Sequence, residues 1–384
     1  MQNPDGVPLK QSRAKILPPS PENLALASNA LKQEAVVGMP TETVYGLAGN
    51  VWSVTALSRI FKAKNRPTTD PLIVHVNLRE RTLEELEALD LIDLSSIPAF
   101  TRVNIQNLIS KFWPGPLTLI LPKNQKVPDL ATSGLSTVAL RMPGHPVALE
   151  LITQAGTPLA APSANRFGKI SPTHAQAVAD ELGDEIDLIL DGGPCLIGLE
   201  STVLGLRENG GFELLRPGGT PIEAIEAIIE QTVERPLFSG GGLKTVFASV
   251  PQLSPGLLES HYAPSRPLEI LPAGVLKLGS EVELSWLKSR VADLPPDSAV
   301  GLLAFSGSKE DLESGFSRLT SRRTITRVLS PNGDPAEAAQ RLFALMRELD
   351  GSEAVLLFVE PTPVLSGLGL AITDRLKRAS ARRF

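Results

Sequence analysis

The segment Gly38-Met39-Pro40-Thr41-Glu42-Thr43-Val44-Tyr45-Gly46-Leu47, entered from the apolar run Ala35-Val36-Val37, decides how this chain is read. A short apolar run over residues 35–38, closed by Gly, Pro and hydroxyl residues, reads as a buried strand opening into a loop. The loop carries two threonines, a carboxylate and a tyrosine at a strand end, where α/β sheets place their chemistry. Other polar clusters along the chain also follow apolar runs of strand length. Several strand ends can therefore line one crevice.

Upstream, Ser20-Pro21-Glu22 has the form of an N-cap with proline at the first helical position, and Leu24, Ala27 and Leu31 follow at helical spacing. Downstream, Val54, Leu57, Ile60 and Phe61 mark a second amphipathic helix. It ends in Lys62-Ala63-Lys64-Asn65-Arg66-Pro67, because proline disfavours helix in its predecessor. Taken alone, these cations read as partners of the helix C-terminal dipole. Asp70-Pro71-Leu72-Ile73-Val74-His75-Val76 is an apolar strand, and His75 by itself reads as a satisfied core histidine.

Residues 78–112, rich in leucine and charge, predict surface helices joined by a loop. Phe112-Trp113-Pro114-Gly115-Pro116 is a rigid aromatic turn feeding the strand Leu117-Thr118-Leu119-Ile120-Leu121. Ser136 to Met142 is a strand carrying Arg141, a permanent cation suited to phosphate or carboxylate, and a helix follows from Pro146 to Ala155. In Pro158-Leu159-Ala160-Ala161-Pro162-Ser163-Ala164-Asn165 a small-residue strand opens into a bend, either an anion cradle of backbone N–H groups or a capped turn. Asp187 to Asp191, Glu200-Ser201-Thr202-Val203-Leu204 and Glu213-Leu214-Leu215-Arg216 continue the theme, and residues 221–230 predict a closing helix. Strands and helices alternate over residues 15–230, so the first domain is α/β, and the hairpin-like spacing of residues 187–216 predicts a mixed sheet.

Residues 231–267 turn to Gly, Ser and Pro and read as a linker, in which His261-Tyr262 suggests a lid or clamp rather than a plain spacer. Residues 268–384 resume apolar runs at 299–305 and 354–359 around a long amphipathic helix with Ala336, Leu342, Leu345 and Met346. They predict a second, smaller α/β domain.

A net charge of −5 over 384 residues lacks the broad basic surface that backbone-reading nucleic-acid proteins carry. One cysteine, Cys195, excludes an intramolecular disulfide and suits a reducing compartment. The start, Met1-Gln2-Asn3-Pro4-Asp5, has no secretion pattern, no apolar run approaches membrane-spanning length, and the expected address is cytoplasmic. Four histidines without His-Glu-x-x-His, and no Cys-x-x-Cys, speak against a dedicated zinc site. His145 and His174 read as hydrogen-bonding structural residues.

Against this acidic balance, Lys64, Arg66, Arg141 and Arg216 end elements of the first domain beside hydroxyl and amide side chains. A polyanionic small ligand, naturally a nucleotide, follows from that local concentration. The usual nucleotide motifs are missing. Leu243 stands where a P-loop places glycine before Lys244, no Gly-x-Gly-x-x-Gly follows a strand, and there is no Gly-x-Ser-x-Gly elbow. The residues alone reach an α/β enzyme or binder of a phosphorylated ligand.

Pro40 to Leu47, Lys64-Asn65-Arg66-Pro67, Pro71 to His75, Trp113 to Thr118, Arg141-Met142-Pro143, Ala161 to Asn165 and Glu200-Ser201-Thr202 together resemble the ordered motif series of the YrdC-type threonylcarbamoyl-AMP synthases. Ser254-Pro255-Gly256, His261 to Pro264, Gly367-Leu368-Gly369, Ala371-Ile372 and Asp374-Arg375-Leu376 resemble the linker and Rossmann-like C-terminal domain of the family's two-domain members. The resemblance implies a YrdC-like twisted mixed sheet around a concave cleft, and an enzyme joining L-threonine, bicarbonate or CO2, and ATP into threonylcarbamoyl-AMP and pyrophosphate. A downstream complex would then transfer the threonylcarbamoyl group to an adenosine of tRNA.

Carried onto matching positions, the resemblance implies that Thr43, His75, Arg141, Ala161 and Ser201 hold threonine. Lys64, Arg66, Asp70, Thr137, Ser163, Asn165, Ser171 and Arg216 would surround ATP, with Tyr262 closing over it and Mg2+ assisting on the phosphates. Lys64, Arg66 and Arg141 would carry the catalytic charge. Asp70 is an awkward acidic neighbour for a triphosphate. Arg375, Lys377, Arg378, Arg382 and Arg383 either touch tRNA weakly or form a solvated helix end. A carbamoyltransferase with a YrdC-like domain is the alternative enzyme, and would bring extra metal-rich domains.

Overall fold

The computed structural model describes residues 13–235, 261–277 and 280–381. Ser254 to Gly256, Gly240 to Thr245, Arg382 and Arg383 lie outside the described residues, as does most of the predicted linker.

The first domain is built on a ten-stranded sheet. Its strands are β1 (Lys15–Leu17), β2 (Val37–Met39), β3 (Gly46–Asn50), β4 (Ile73–His75) and β5 (Leu117–Pro122), then β6 (Thr137–Arg141), β7 (Leu159–Ala160), β8 (Leu188–Leu190), β9 (Thr202–Leu206) and β10 (Phe212–Arg216). They lie in the order β1-β8-β2-β3-β7-β4-β6-β5-β9-β10. Parallel pairs such as β4 with β6 and β5 with β9 alternate with antiparallel pairs such as β5 with β6 and β9 with β10, so the sheet is mixed.

Period-two alternation divides the faces of these strands. Val74, Val138, Leu140, Leu119, Leu121 and Leu204 enter the main core beneath helices Val54–Lys64, Ala99–Phe112 and Ile222–Ile229. Ile73, Ile120, Ala139, Val203 and Leu215 form a small apolar patch on the opposite, concave face. His75 lies two residues beyond Ile73, and Arg141 two beyond Ala139. The register pairs Ile73 with Ala139 and His75 with Arg141, so both polar side chains arrive at the same edge of that patch.

The helix ends follow local chemistry. Ser20 and Ser53 accept hydrogen bonds from Asn23 and Ala56 N–H, and Asn65 stops the second helix in the left-handed conformation at φ 52°. His145 and His174 are N-caps, accepting from Val147 N and Ala177 N through Nδ1 at 3.2 and 3.1 Å. Residues 78–112 form helices Leu83–Ala88 and Ala99–Phe112 with a 3-10 turn at Leu94–Ser96; their inner faces, including Leu86, Ile105 and Leu108, belong to the core.

The second domain has four parallel strands, β11 (Leu268–Ile270), β12 (Ala299–Ala304), β13 (Arg323–Val328) and β14 (Ala354–Val359), ordered β11-β14-β12-β13. Helices Pro335–Asp350 and Leu368–Ser380 turn inward, and one buried cluster joins Phe343, Leu342, Ala371 and Ile372 to Val44, Ile170 and Leu199 of the first domain. Arg347 crosses the same seam, donating to Glu181 at 2.9 Å and to the Ile170 carbonyl at 2.6 Å. Arg375 and Arg378 are buried in this seam, which corrects their reading as tRNA contacts or a solvated helix end; Lys377 is exposed. Among the described residues no helix is long and apolar enough to cross a membrane.

Candidate active site

A cavity of about 40 Å3 opens on the concave face where the loop of residues 40–45, the ends of β4, β6 and β10, the bend after β7 and the segment His261-Tyr262 meet. Thr41 sets the loop. Its Oγ1 accepts from Thr43 N and Val44 N, both at 3.2 Å, and donates to the Val44 carbonyl at 2.6 Å. Tyr45 anchors it from the side, its hydroxyl donating to the Gly193 carbonyl at 2.7 Å and accepting from Gly192 N at 3.1 Å.

Arg141 fans out at the end of β6. Nη1 donates to Thr43 Oγ1 at 2.9 Å, Nη2 to Glu42 Oε1 at 2.6 Å, and Nε to the Gly115 carbonyl at 3.1 Å. Beside it His75 is buried with Nδ1 3.3 Å from the Ile73 carbonyl. Burial first, then the Arg141 charge, lower its pKa to about 3, so it is a neutral group at physiological pH. Ser201 shares a 2.7 Å hydrogen bond with Thr118, and Arg216 donates to the Ser201 hydroxyl at 3.1 Å and to its carbonyl.

On the opposite wall Arg66 pairs with Asp70 at 3.0 Å and donates to the Asp70 and Pro71 carbonyls. The bunched helix-exit cations therefore do different things. Lys62 is exposed, whereas Arg66 enters the cavity wall and Lys64 is buried behind it, donating to the Ser163 and Asn165 carbonyls at 2.5 Å. Burial, then the nearby Arg66, hold the Lys64 amine well below its ordinary range. Glu200 lines the cavity, accepting from Ser171 Oγ at 2.6 Å and from Arg375 Nε at 2.8 Å.

His261 and Tyr262 close the space. Their rings meet edge to face at 4.2 Å, and Tyr262 stacks on Phe343 at 5.4 Å. Tyr262 Oη and His261 Nδ1 are buried without a hydrogen-bond partner among the described residues. Both atoms face a cavity where a ligand or water can supply the missing bonds.

Of the residues singled out from sequence, Thr43, Arg66, His75, Arg141, Ala161, Ser163, Ser201, Arg216 and Tyr262 line this one cavity. Lys64, Asp70, Asn165 and Ser171 lie one layer behind, where Asp70 holds Arg66, Ser171 holds Glu200, and Asn165 Nδ2 closes the bend on the Arg166 and Lys169 carbonyls at 2.8 Å. Thr137 sits at the opposite end of β6, paired across the sheet with Pro122 and roughly 13 Å of strand away from Arg141. Residue types alone did not single out Glu200 or Arg375 as site members; the polar trio Glu200-Ser201-Thr202 entering a strand was the available signal for the first.

The arrangement sets Arg66, Arg141 and Arg216 beside neutral hydrogen-bonding groups, chemistry suited to an anion. Ser201 faces Arg216 and Thr118 rather than a base, and buried Cys195 has its thiol pKa pushed up by burial and by Glu42. Among the described residues no three His, Cys, Asp or Glu side chains converge as a metal site.

Residues 29–218 match a family described as telomere recombination, which groups Sua5, YciO and YrdC, and residues 221–381 match the threonylcarbamoyl-AMP synthase C-terminal domain. The chain is 37% identical to threonylcarbamoyl-AMP synthase of Pyrococcus abyssi, covering 94% of both chains. It is 36% identical to that of Bacillus subtilis, covering 94% of this chain and 93% of the relative, and 35% identical to that of Schizosaccharomyces pombe, covering 97% and 92%. The crystal structure of P. abyssi Sua5 complexed with L-threonine superposes with a TM-score of 0.75 at 35% identity, over 93% of this chain and 94% of that one.

Proposed function

The chain belongs to the threonylcarbamoyl-AMP synthase family, and from that premise we propose that its cleft condenses L-threonine, bicarbonate or CO2, and ATP into threonylcarbamoyl-AMP and pyrophosphate. The observation that carries the reading is the convergence of Arg66, Arg141 and Arg216 with His75, Ser163 and Ser201 on one small cavity.

The chemistry needs charge control rather than a covalent residue. The threonine amine adds to CO2 to give a carbamate, and a carbamate oxygen then forms a bond to the α-phosphorus while the bond to pyrophosphate breaks. Both reactants are anionic, so fixed cations and alignment lower the barrier. Threonine is held by Thr43, His75, Arg141, the backbone at Ala161, and Ser201. Neutral His75 offers a hydrogen bond there without adding a titrating charge. The phosphates lie toward Arg66, Ser163 and Arg216, with Lys64, Asn165, Asp70 and Ser171 holding that wall and Thr137 at the outer end of the strip.

Mg2+ arrives as part of the substrate MgATP. Glu42, Asp70 and Glu200 each face an arginine, a donor set that leaves the ion to the phosphates. The cavity holds a few waters in its enclosed part and opens outward from there, and His261-Tyr262 on its rim offers the bound ligand two buried polar atoms. The labile product passes to a transferase complex acting on tRNA.

The test is purified full-length chain with MgATP and bicarbonate. Pyrophosphate release that requires threonine, with threonylcarbamoyl-AMP detected by mass spectrometry, is the expected result. Release driven by carbamoyl phosphate, indifferent to threonine, overturns the reading in favour of a carbamoyltransferase.

A further inference from the structure

Arg375 belongs to the second domain, on helix Leu368–Ser380, yet it reaches Glu200 and Pro217 of the first domain and the cavity-lining Tyr262. It is fully buried. Nε donates to Glu200 Oε2 at 2.8 Å, and Nη1 donates to the Pro217 carbonyl at 2.9 Å and to Asp374 Oδ2 at 2.7 Å. The guanidinium carbon stands 5.2 Å from the centroid of the Tyr262 ring. Glu200, Tyr262 and Arg216, which precedes Pro217, all line the cavity. Asp374 is held in turn by Arg378 Nε at 3.0 and 3.1 Å, and the Arg378 carbonyl accepts from His261 N at 3.3 Å. One side chain thus reaches two cavity-lining residues, the Glu200 carboxylate and the Tyr262 ring, and the Pro217 carbonyl next to a third, Arg216, while its Nη2 has no hydrogen-bond partner among the described residues.

Domain adhesion does not account for it. The seam has its own apolar cluster and its own ion pair, Arg347 with Glu181. A fully buried ion pair contributes little net stability, because desolvation of both charges offsets their attraction. What such a pair does supply is fixed geometry.

We propose that Arg375 is a positioning residue of the synthase, setting Glu200, the Arg216-Pro217 backbone and Tyr262 at once, so that the second domain braces the active-site wall from behind. The inference rests on the synthase reading above. Its consequence is that the nucleotide side of the cleft, which Ser171, Arg216 and Tyr262 shape, feels the second domain directly.

The charge surroundings make this separable from plain stability. Burial by itself pushes the Glu200 carboxyl up, but Arg375, Arg216 and the Ser171 hydroxyl together hold it below its ordinary value; Tyr262 also faces Glu200, while Asp374 faces Arg375. Removing Arg375 leaves burial less opposed, so Glu200 protonates at higher pH. The experiment compares Arg375→Lys, Arg375→Met and Arg375→Met/Glu200→Gln in the full-length chain by threonine-dependent pyrophosphate release. Arg375→Lys keeps the charge and loses the fork, and its KM for ATP rises on the order of tenfold with a smaller change in threonine KM. Arg375→Met moves the acid limb of its rate profile to higher pH, and adding Glu200→Gln removes that movement. Should Arg375→Met fail to fold, Arg375→Lys and the double variant, which leaves no unpaired buried charge at Glu200, carry the measurement. Arg347→Met lowers the melting temperature with KM unmoved. Variants of Arg375 that lose only melting temperature, with ATP KM and pH profile as in the parent, overturn the inference. A parent chain without threonine-dependent release overturns the functional reading instead.

Discussion

Arg141 Nη2 lies 2.6 Å from Glu42 Oε1, so the strand-end arginine expected to await a substrate anion already has a carboxylate partner from the same chain. Both side chains are buried, and Glu42 Oε2 has no hydrogen-bond partner among the described residues. The pair is a shared charge. On the proposed function, threonine would meet a guanidinium already fixed between Glu42 and Thr43.

Arg141→Met removes that guanidinium and leaves Glu42 as a buried carboxylate facing an apolar stem. Breaking the internal pair costs about 3–5 kcal/mol of stability, and losing a charged partner of the ligand's carboxylate costs about 2–5 kcal/mol, some thirtyfold to several thousandfold in affinity. Calorimetric titration should show threonine affinity falling within that range while ATP binding, proposed to lie toward Arg66 and Arg216, falls less than tenfold. Equal loss of both ligands would mean that Arg141 serves the fold rather than threonine.

His75 makes the stability of the protein pH-dependent in a stated direction. Its folded pKa is about 3 against an ordinary 6.5. Between those values the unfolded chain takes up a proton that the folded one refuses, so stability from this group is complete above pH 6.5 and is lost as pH falls toward 3. The slope is about 1.4 kcal/mol per pH unit in the middle of the window. His261, whose imidazole burial and then Arg66 also hold well below its ordinary range, adds to the same limb. Urea midpoints measured from pH 7 to pH 4 should fall more steeply for the parent than for His75→Asn; parallel curves would place a proton on His75 in the folded state.

Much of the cleft was legible because strand alternation is local. Ile73 with His75, and Ala139 with Arg141, put polar residues on the face opposite Val74 and Leu140, and the loop after Met39 announced a strand end from its own residues. The inward turn of Lys64 and Arg66 was not legible. A cation at a helix exit reads as a dipole partner until the bend at Ser163 and Asn165 supplies carbonyls nearly a hundred positions away. Glu200 and Arg375 lie 175 positions apart on different domains, and neither periodicity nor capping speaks to that distance. Tyr262 stood out only because an aromatic pair is costly to place in a Gly- and Pro-rich stretch, yet its φ of 63° and its stacking on Phe343 belong to the assembled seam.

Tyr262 separates two roles of one side chain. The ring packs on Phe343 and under Arg375, whereas the buried hydroxyl has no partner among the described residues. Tyr262→Phe removes a buried unsatisfied group, so the melting temperature should stay level or rise, while kcat falls because the ligand loses its hydrogen bond. Tyr262→Ala removes the ring as well and should lower kcat further than it weakens threonine binding. Kinetics of Tyr262→Phe matching the parent, with a stability gain, would assign the hydroxyl no part in turnover.

Gly198 tests whether the seam between the domains governs both stability and rate. Its φ is +73°, and a Cβ there would lie 2.3 Å from the Gln340 carbonyl oxygen, in the helix Pro335–Asp350 that also presents Phe343 to Tyr262. Gly193 shares the left-handed conformation at +79°, but a Cβ there meets nothing within 4 Å. Gly193→Ala therefore carries only the backbone penalty, about 1–2 kcal/mol. Gly198→Ala carries that penalty and must also displace backbone, so its loss should be larger by about 2 kcal/mol or more, the range of overpacked core sites. Because the helix that must shift holds the stacking partner of Tyr262, Gly198→Ala should also lower kcat, which Gly193→Ala should not. Urea midpoints and pyrophosphate release measured on both variants decide it: matching losses in the two would show that the seam yields freely at Gly198, and the rigid contact between helix and loop would have to be given up.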